Sequence, residues 1–453
     1  MMRLPFTLFL LFTSLLAAGC GPYFSPSGGD RPGTDAGLRH LLAEYEVKPV
    51  SRPLNPAAKV KLGQALFFDK ILSGNLNICC YNCHLPLAAT GDALSLSIGE
   101  GGSGEMAKRV PPRDERGEPV FIPRNSPDLF NRGEMQVMFW DGRVMANRDG
   151  TFITPMGQLF PEGVENALAA QAMFPVTSAE EMRGNPHENP LGALSPWKQL
   201  EIWTELMKRL LALEEYRELF QAAYPDTPPS ELTFVHAANA MAAYEIDSFT
   251  LEDAPFDRYL KGDDRALSDE EKQGALLFYG RGKCAKCHSG PLLTDESFHC
   301  RLVPQIGPGK TFRHDEAWDY GRGEVTGIRK DLFCFRAPPL RNVAETGPWM
   351  HDGAYTTLEA AVRHEVNPFK GATQYDPAQL PEELRKLYRR SDTDFMLDLR
   401  WELKMVDDYE SVSLTEPEIA SLISFLHSLS SPVLNNLGRV IPERVPSGLP
   451  MEN

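Results

Sequence analysis

The pattern Cys-x-x-Cys-His occurs twice in this chain, at residues 80–84 and again at residues 284–288. Two thiols at this spacing can join the two vinyl groups of one haem, while the adjacent histidine ligates its iron. The same spacing could hold zinc or form a redox-active dithiol. The trailing histidine and the duplication favour two covalently bound haem c groups. The six residues are Cys80, Cys83, His84, Cys284, Cys287 and His288.

Four further cysteines lie outside these two attachment motifs, at positions 20, 79, 300 and 334. Cys300 and Cys334 flank a loop rich in glycine and charged residues, and we expect a disulfide bond between them. On the loop-entropy argument it would contribute about 3–4 kcal/mol to stability. Cys79 could compete with Cys80 for the haem vinyl group, but a buried spare thiol is the simpler interpretation.

The N-terminus reads MMRLPFTLFLLFTSLLAAGC, in which one arginine precedes an apolar run and small residues follow it. Such a pattern is typical of a secretory signal and is too short for a spanning helix. Its end is similar to the bacterial lipobox, which predicts residues 1–20 as a signal peptide and a lipid anchor at Cys20. A plain signal peptide with a chance cysteine is the alternative. Residues 21–45 are predicted to be a flexible tether. We therefore expect a protein of the bacterial periplasm or cell envelope.

The composition describes an ordinary globular protein of 453 residues, with 42% hydrophobic and 24% charged residues. The formal net charge of −16 argues against nucleic acid as a partner, because phosphates require a basic surface. The same charge would attract a positively charged protein partner, although it would also serve solubility alone.

The surroundings of the two motifs repeat at a nearly constant offset. The repeated pairs are residues 61–68 and 272–279, 124–127 and 336–339, and 140–142 and 351–353. This repeat predicts two duplicated cytochrome c-type haem domains, at 46–250 and 263–435, joined by a linker and followed by a tail at 436–453.

The hydrophobic periodicity predicts a mainly α fold with long structured loops. Helical patterns run over 200–220, 234–248 and 416–429. Short strands are expected only near 298–302 and 332–336. Because so few helical turns cannot enclose a haem, the loops and the porphyrin itself must complete each core.

Several longer motifs occur together with the two attachment motifs, namely LFFDKILSGN, PRNSP, FWDGR and FRAPPLRNVAETGPWMHDGAYTTLEAAV. With them, residues 55–435 resemble the bacterial di-haem cytochrome c peroxidases, a family that includes MauG-like enzymes. The resemblance implies reduction of hydrogen peroxide to water at the N-terminal haem. Electrons would come from a small cytochrome c or cupredoxin through the C-terminal haem. Assembly into a homodimer is left open.

The resemblance also assigns roles around the N-terminal haem. Trp140 matches the residue that conducts electrons between the haems, although tryptophan commonly serves only as core packing. Gln171 and Glu181 match the polar pair above the iron, where Glu181 would move protons during cleavage of peroxide. Glu180 is the rival carboxylate in the same acidic run.

A calcium site between the two domains is also implied by the resemblance. Asn125, Thr346 and Pro348 match its ligands, the first through its side chain and the others through backbone carbonyls. Oxygen ligands suit this hard ion. The alternative for Asn125 is that it caps a turn.

Two positions depart from the typical peroxidases. The loop after the first motif carries Glu100 where the family has a histidine ligand, so we expect an open N-terminal haem in the all-ferric state. At the distal position of the C-terminal haem, where a methionine is usual, stand His364 and Glu365. Because imidazole is the commoner haem ligand, His364 is the preferred prediction and Glu365 the alternative.

These departures favour a MauG-like oxidation of a protein side chain as the alternative reaction. A hypothesis of another class is a non-catalytic di-haem electron-transfer protein. It would require both irons to be six-coordinate, and the pair of Gln171 and Glu181 argues against it.

Overall fold

The computed structural model describes residues 34–104, 108–310, 318–389 and 411–451, and this part of the chain is mainly α-helical, as predicted. The α-helices are α1 (Thr34–Glu44), α2 (Ala57–Phe68), α3 (Ala167–Ala172), α4 (Gln199–Leu211), α5 (Glu214–Ala223), α6 (Phe234–Phe249), α7 (Pro255–Leu260), α8 (Asp269–Tyr279), α9 (Arg322–Thr326), α10 (Leu358–Val366), α11 (Pro368–Thr373), α12 (Glu382–Arg385) and α13 (Glu416–His427). The strands are β1 (Val137–Met138), β2 (Val144–Ala146), β3 (Phe152–Ile153), β4 (Phe298–His299), β5 (Gln305–Ile306), β6 (Phe335–Arg336) and β7 (Tyr388–Arg389).

The strands form three small antiparallel sheets. Strands β1, β2 and β3 make a meander, while β4 pairs with β6 and β5 with β7. In the second sheet Phe298 lies opposite Arg336, which confirms the two strand predictions in this region. The predicted disulfide bond between Cys300 and Cys334 is also present, directly beside this pair of strands.

The first hydrophobic core is built around the contact between α2 and α6. A Cβ atom at Gly63 would lie 1.8 Å from the carbonyl oxygen of Ala240, so a side chain at this position would collide with backbone. The alanine-rich sequence of α6 offers the flat surface that this close approach needs. Glycine and alanine together therefore bring the first attachment motif, which follows α2, onto the core.

The second core has the same arrangement between α8 and α13. A Cβ atom at Gly274 would lie 1.9 Å from the carbonyl oxygen of Ser421. Around this contact the rings of Phe278 and Phe425 pack edge to face, with their centroids 5.3 Å apart. In both halves the α-helix that precedes the attachment motif carries a glycine at the point where it crosses its partner helix.

Two segments predicted to be extended or unstructured are folded. The tether prediction is wrong for residues 34–45, because α1 places Leu38 and Leu42, four positions apart, in the second core. Residues 436–451 of the predicted tail pack on the first half and bury Leu437 and Val445 beside Phe67. Helix α1 and this C-terminal segment therefore each pack on the half that lies farther away in sequence.

The region predicted as a linker also contains structure. Helix α7 buries Phe256, and Asp257 accepts a hydrogen bond of 2.5 Å from Arg341. The single helix predicted over 200–220 is observed as two helices, because the helical conformation is interrupted between Leu211 and Glu214. The predicted signal peptide and Cys20 lie outside the described residues. Within those residues, no helix is long and apolar enough to cross a membrane.

Candidate functional site

The first attachment motif forms a single 3₁₀ turn over Cys80–Asn82, which brings its two thiols and its histidine to one side. The amide of His84 donates to the carbonyl of Cys80, and Nδ1 of the ring lies 3.1 Å from the carbonyl oxygen of Thr90. Burial lowers the pKa of His84 to about 4, so its imidazole is neutral. A neutral ring that donates through Nδ1 presents Nε2 to a metal.

The second motif repeats this geometry over Cys284–Lys286. Nδ1 of His288 lies 3.0 Å from the carbonyl oxygen of Leu293, and burial again lowers the pKa of the imidazole. Both acceptor residues have left-handed backbones, with φ of +61° at Thr90 and +57° at Leu293. Such a conformation is unfavourable for leucine, and it aims the carbonyl at the histidine in both halves. Each donor set, two thiols and one oriented neutral imidazole, fits a covalently attached haem c.

A cavity, called here the first cavity, opens beside the first motif. Its wall combines residues from the motif, from α3 and the turn after it, and from the loops around β1. The lining residues used below are His84, Trp140, Arg143, Gln171, Glu181 and Lys310. The predicted pair of Gln171 and Glu181 therefore comes together at one place, and Pro175 lines the cavity between them in sequence.

The placement of Glu181 depends on a π-helical turn over Ala179–Arg183. The side chain of Ser178 accepts a hydrogen bond from the amide of Glu181 and begins this turn. Glu181 thereby lines the first cavity, whereas Glu180 is exposed and accepts from the Ser178 hydroxyl. Burial raises the pKa of Glu181, although the positive charges of Lys310 and Arg143 oppose this. The wide turn thus separates two neighbouring glutamates into a cavity residue and a surface residue.

Glu100 does not lie among the residues that line the first cavity. Its Oε1 accepts hydrogen bonds of 2.8 Å from Asn75 and 2.7 Å from Asn77, and its amide donates to the carbonyl of Glu180. The side chain is buried in this polar cluster. Its carboxylate therefore organises the loop beside the π-helical turn.

Trp140 lies between the first cavity and the second half of the chain. Its indole nitrogen donates to the carbonyl of Asn125 at 3.0 Å, and its own carbonyl accepts from the amide of Arg336 at 2.8 Å. The guanidinium of Arg336 lies 5.9 Å from the centre of the indole ring. The side chain therefore touches both halves as well as the cavity.

His351, the counterpart of Trp140 in the repeat, is buried and stacks on Phe335 with ring centroids 3.5 Å apart. Burial lowers its pKa to about 3, so it is a neutral ring. Its carbonyl accepts a hydrogen bond from the amide of Asn125. The loop that carries Asn125 and the loop that carries His351 therefore take part in the contact between the two halves.

Asn125, one of the residues predicted to bind calcium, lies at this meeting point. The Asn125 side chain donates to the carbonyl of Leu94, and its backbone bonds to the loop that carries His351. Thr346 and Pro348 stand a few residues earlier in that same loop, and the Gly347–Pro348 peptide bond is cis. Asn125 is thus bonded to the loop that carries Thr346 and Pro348, and the calcium site stays a prediction.

Around the second motif the geometry does not favour His364 as an iron ligand. Its Nδ1 lies 2.8 Å from the Tyr355 hydroxyl and its Nε2 lies 2.7 Å from the carbonyl oxygen of Arg301. Both ring nitrogens are thus engaged in hydrogen bonds, and the side chain is fully buried. These contacts favour Glu365, the alternative ligand, and the assignment of this ligand stays a prediction. The preference for His364 rested on the general frequency of imidazole ligation, which could not anticipate these two partners.

The Glu365 side chain, unlike that of His364, lies beside the second attachment motif. Its Oε2 accepts a hydrogen bond of 2.8 Å from Nε of Arg301. Burial and the neighbouring Glu365 carboxylate raise the pKa of the Cys284 thiol to about 12, and the same carboxylate interacts with His288. Glu365 therefore lies beside the second motif, at the position that the sequence offered as the alternative ligand.

Sequence reasoning overlooked several contributors to the site. Lys310 carries no motif and enters the first cavity from the second half. Arg143 stood within the FWDGR motif without a role, although it ion-pairs with Asp141 at 3.0 Å. The free thiol of Cys79 is buried, as predicted, and also lines the cavity. The sequence around Lys310 does not identify it as a cavity residue, because its loop resembles any other surface loop in sequence.

Comparisons with known proteins agree with this geometry. A family described as di-haem cytochrome c peroxidase matches residues 57–265. The methylamine utilization protein MauG of Methylorubrum extorquens is 28% identical over 410 residues, which cover 88% of this chain and 96% of that protein. The cytochrome c551 peroxidase of Pseudomonas aeruginosa is 32% identical over 305 residues, covering 67% and 70%.

Among solved structures, a MauG-like protein associated with microbial copper homeostasis superimposes with a TM-score of 0.57 at 24% identity. The superposition covers 86% of this chain and 94% of the other. This similarity concerns the fold.

Proposed function

Because this chain belongs to the family of di-haem cytochrome c peroxidases and is an oxidoreductase that acts on peroxide, we propose that hydrogen peroxide is reduced to water in the first cavity. The observation that carries this proposal is that Gln171 and Glu181 line the same cavity as His84. Two haem c groups would be held by the two attachment motifs, each in one of two duplicated domains. The repeated turn, the repeated histidine contact and the repeated glycine crossing support the duplication.

The residues of the first cavity would divide the work of peroxide cleavage. His84, with Cys80 and Cys83, would hold a haem, whose iron would supply the redox chemistry on peroxide. Glu181, whose pKa is raised by burial, would accept a proton from one peroxide oxygen and return it to the other. Gln171 would orient the peroxide by hydrogen bonds. The overall reaction consumes two electrons and two protons and yields two molecules of water.

Electrons would arrive from a small cytochrome c or cupredoxin through the second haem. The net charge of −16 suits a positively charged donor. Trp140 would carry the electrons onward, and its contacts with Arg336 on one side and the first cavity on the other support this route. We propose Glu365, in place of His364, as the distal ligand of the second haem.

A second candidate reaction is the peroxide-dependent oxidation of a protein side chain, as in MauG-like enzymes. Two observations favour it. Glu100 is held by Asn75 and Asn77 rather than lining the cavity, and a carboxylate instead of a thioether stands beside the second motif. A hard oxygen ligand lowers the potential of a haem and so favours its oxidised state.

Three further proposals concern the setting of the enzyme. A calcium ion bound by Asn125, Thr346 and Pro348 would tie the two domains together, and the contact between Asn125 and the His351 loop supports this. The apolar N-terminal segment supports export to the periplasm or cell envelope. A lipid anchor at Cys20 rests on the lipobox-like sequence alone.

The deciding experiment is an optical and electron paramagnetic resonance titration of the all-ferric enzyme with hydrogen peroxide, without reductant. Rapid loss of a high-spin ferric signal, with the second haem responding as well, supports an open first haem. Reaction only after one haem has been reduced would indicate a bound ligand at the first iron and an ordinary cytochrome c peroxidase cycle. No reaction in either state would contradict the proposed site and leave electron transfer as the alternative.

A further inference from the structure

Lys310 reaches the first cavity from the half of the chain that carries the other attachment motif. It follows β5, and Gly307, with φ of +105°, turns the chain against Leu96 of the first half. A Cβ atom at Gly307 would lie 2.5 Å from Leu96, so the loop is pressed closely onto the wall of the first domain. Lys310 is then fixed by a hydrogen bond from its amide to the carbonyl of Trp318.

The ammonium group of Lys310 differs from the guanidinium groups of Arg124 and Arg143, which line the same cavity. Arg124 donates to Asp319 and Asp141, and Arg143 donates to Asp141, so both guanidinium groups are already bonded to carboxylates. Within the residues that the structure describes, the Lys310 side chain has no such ion pair. Its charge therefore acts on the interior of the cavity, which it shares with Glu181 and Gln171.

We propose that Lys310 is a further catalytic residue of the peroxide reaction, one that donates a hydrogen bond to the oxygen that departs as water. This inference rests on the proposed function of the first cavity. When the O–O bond breaks, its electron pair moves to the departing oxygen, and Glu181 delivers the proton to it. An ammonium donor would stabilise the negative charge that develops there before the proton arrives, as donors of an oxyanion hole do. The electrons are those that the peroxidase activity already draws from its donor.

The electrostatic surroundings agree with this role. Burial and the charges of Arg143 and Arg124 lower the pKa of Lys310 to about 8, while Asp141 and Glu181 oppose the shift. The amine is therefore protonated at neutral pH and a stronger hydrogen-bond donor than an ordinary lysine. It loses its proton as the pH rises past about 8.

The experiment compares the haem-loaded wild type with Lys310→Met and Lys310→Arg. The control is Lys208→Met, which removes an exposed lysine that pairs with Glu205 on α4. The first readout is the affinity of the ferric enzyme for fluoride, measured optically. A bound fluoride accepts hydrogen bonds, whereas imidazole, a neutral ligand, serves as the reference probe. The second readout is kcat/KM for hydrogen peroxide.

We expect Lys310→Met to lower fluoride affinity about tenfold or more and kcat/KM by about 10²–10³-fold, with imidazole affinity unchanged. Lys310→Arg should retain most of both, and Lys208→Met should match the wild type. Unchanged fluoride affinity and kcat/KM in Lys310→Met would overturn the role of Lys310 alone. If the wild type itself failed to react with peroxide, the proposed function would fall, and this inference with it. Lys310→Gln replaces Lys310→Met in the comparison if the latter does not load haem.

Discussion

Arg124 of the first half donates two hydrogen bonds to Asp319 of the second half, at 2.6 Å and 2.8 Å, and a third to Asp141 at 2.6 Å. All three side chains are buried. Burial works against the charges of both partners, yet the Arg124 guanidinium holds the pKa of Asp319 and of Asp141 below their usual range. One guanidinium thus binds two carboxylates at the junction between the halves, and Arg143 supplies a second positive charge to Asp141.

Replacing Arg124 by Leu is expected to reduce the free energy of unfolding by about 3–5 kcal/mol, because the buried carboxylate of Asp319 loses its charged partner and that of Asp141 keeps only Arg143. The measurement is chemical denaturation of the haem-loaded protein. As a control, Arg113→Leu removes an exposed ion pair with Glu383 and should cost less than about 1 kcal/mol. Equal effects of the two substitutions would mean that the Arg124 network contributes no more than a surface pair.

Replacement of Glu181 by Gln should reduce kcat/KM for hydrogen peroxide by about 10²–10⁴-fold, since the proton acceptor is lost while the shape is kept. The matched control is Glu180→Gln, because the neighbouring glutamate is exposed and lies outside the cavity lining. Steady-state kinetics under the same donor concentration give the comparison. A larger loss in Glu180→Gln would reverse the assignment.

The pH dependence of kcat/KM provides a separate test of Glu181. Burial raises the pKa of this carboxyl above the ordinary value for glutamate. The residue accepts a proton only when ionised, so activity should fall as the pH decreases through this raised pKa. The acid limb of the profile should therefore lie above that of an exposed glutamate and should disappear in Glu181→Gln. A limb that persists in the variant would belong to another group.

The ligand of the second haem can be tested with a pair of neighbouring variants. Glu365→Met should raise the midpoint potential of the second haem, because a thioether ligand favours the ferrous state more than a carboxylate does. His364→Gln should leave the absorption spectrum of the second haem unchanged, since one ring nitrogen of His364 bonds to Tyr355 and the other to Arg301. Spectroelectrochemistry of both variants resolves the question, and a spectrum altered only in His364→Gln would restore the histidine as ligand.

Features that depend on neighbours in sequence could be predicted from the chain alone. The attachment motifs are local, so their geometry follows from five consecutive residues. A local pattern also predicted the strands near residues 298 and 335. The Cys300–Cys334 bond was predicted because few cysteines remain outside the attachment motifs.

Features that depend on distant contacts could not be predicted in the same way. The sequence does not reveal that a π-helical turn points Glu181 inward and Glu180 outward. Nor does it reveal that Tyr355 and Arg301 occupy both nitrogens of His364, because one of these partners lies more than sixty residues away. Lys310 reaches its cavity through a loop of the other half, for which the sequence carries no periodic signal.

The buried C-terminal segment, which the sequence suggested to be a tail, supports a last prediction. Leu437 lies in a cluster with Phe67 and Phe68, the last residues of α2, and Ser447 donates to Asp69 at 2.6 Å. Leu437→Ala should therefore reduce the free energy of unfolding by about 2–5 kcal/mol. Leu159→Ala, at a leucine that is 71% exposed, should change it by less than about 0.5 kcal/mol. Denaturation followed at the haem absorption would reveal the difference, and identical curves for the two variants would mean that the C-terminal segment does not stabilise the first half.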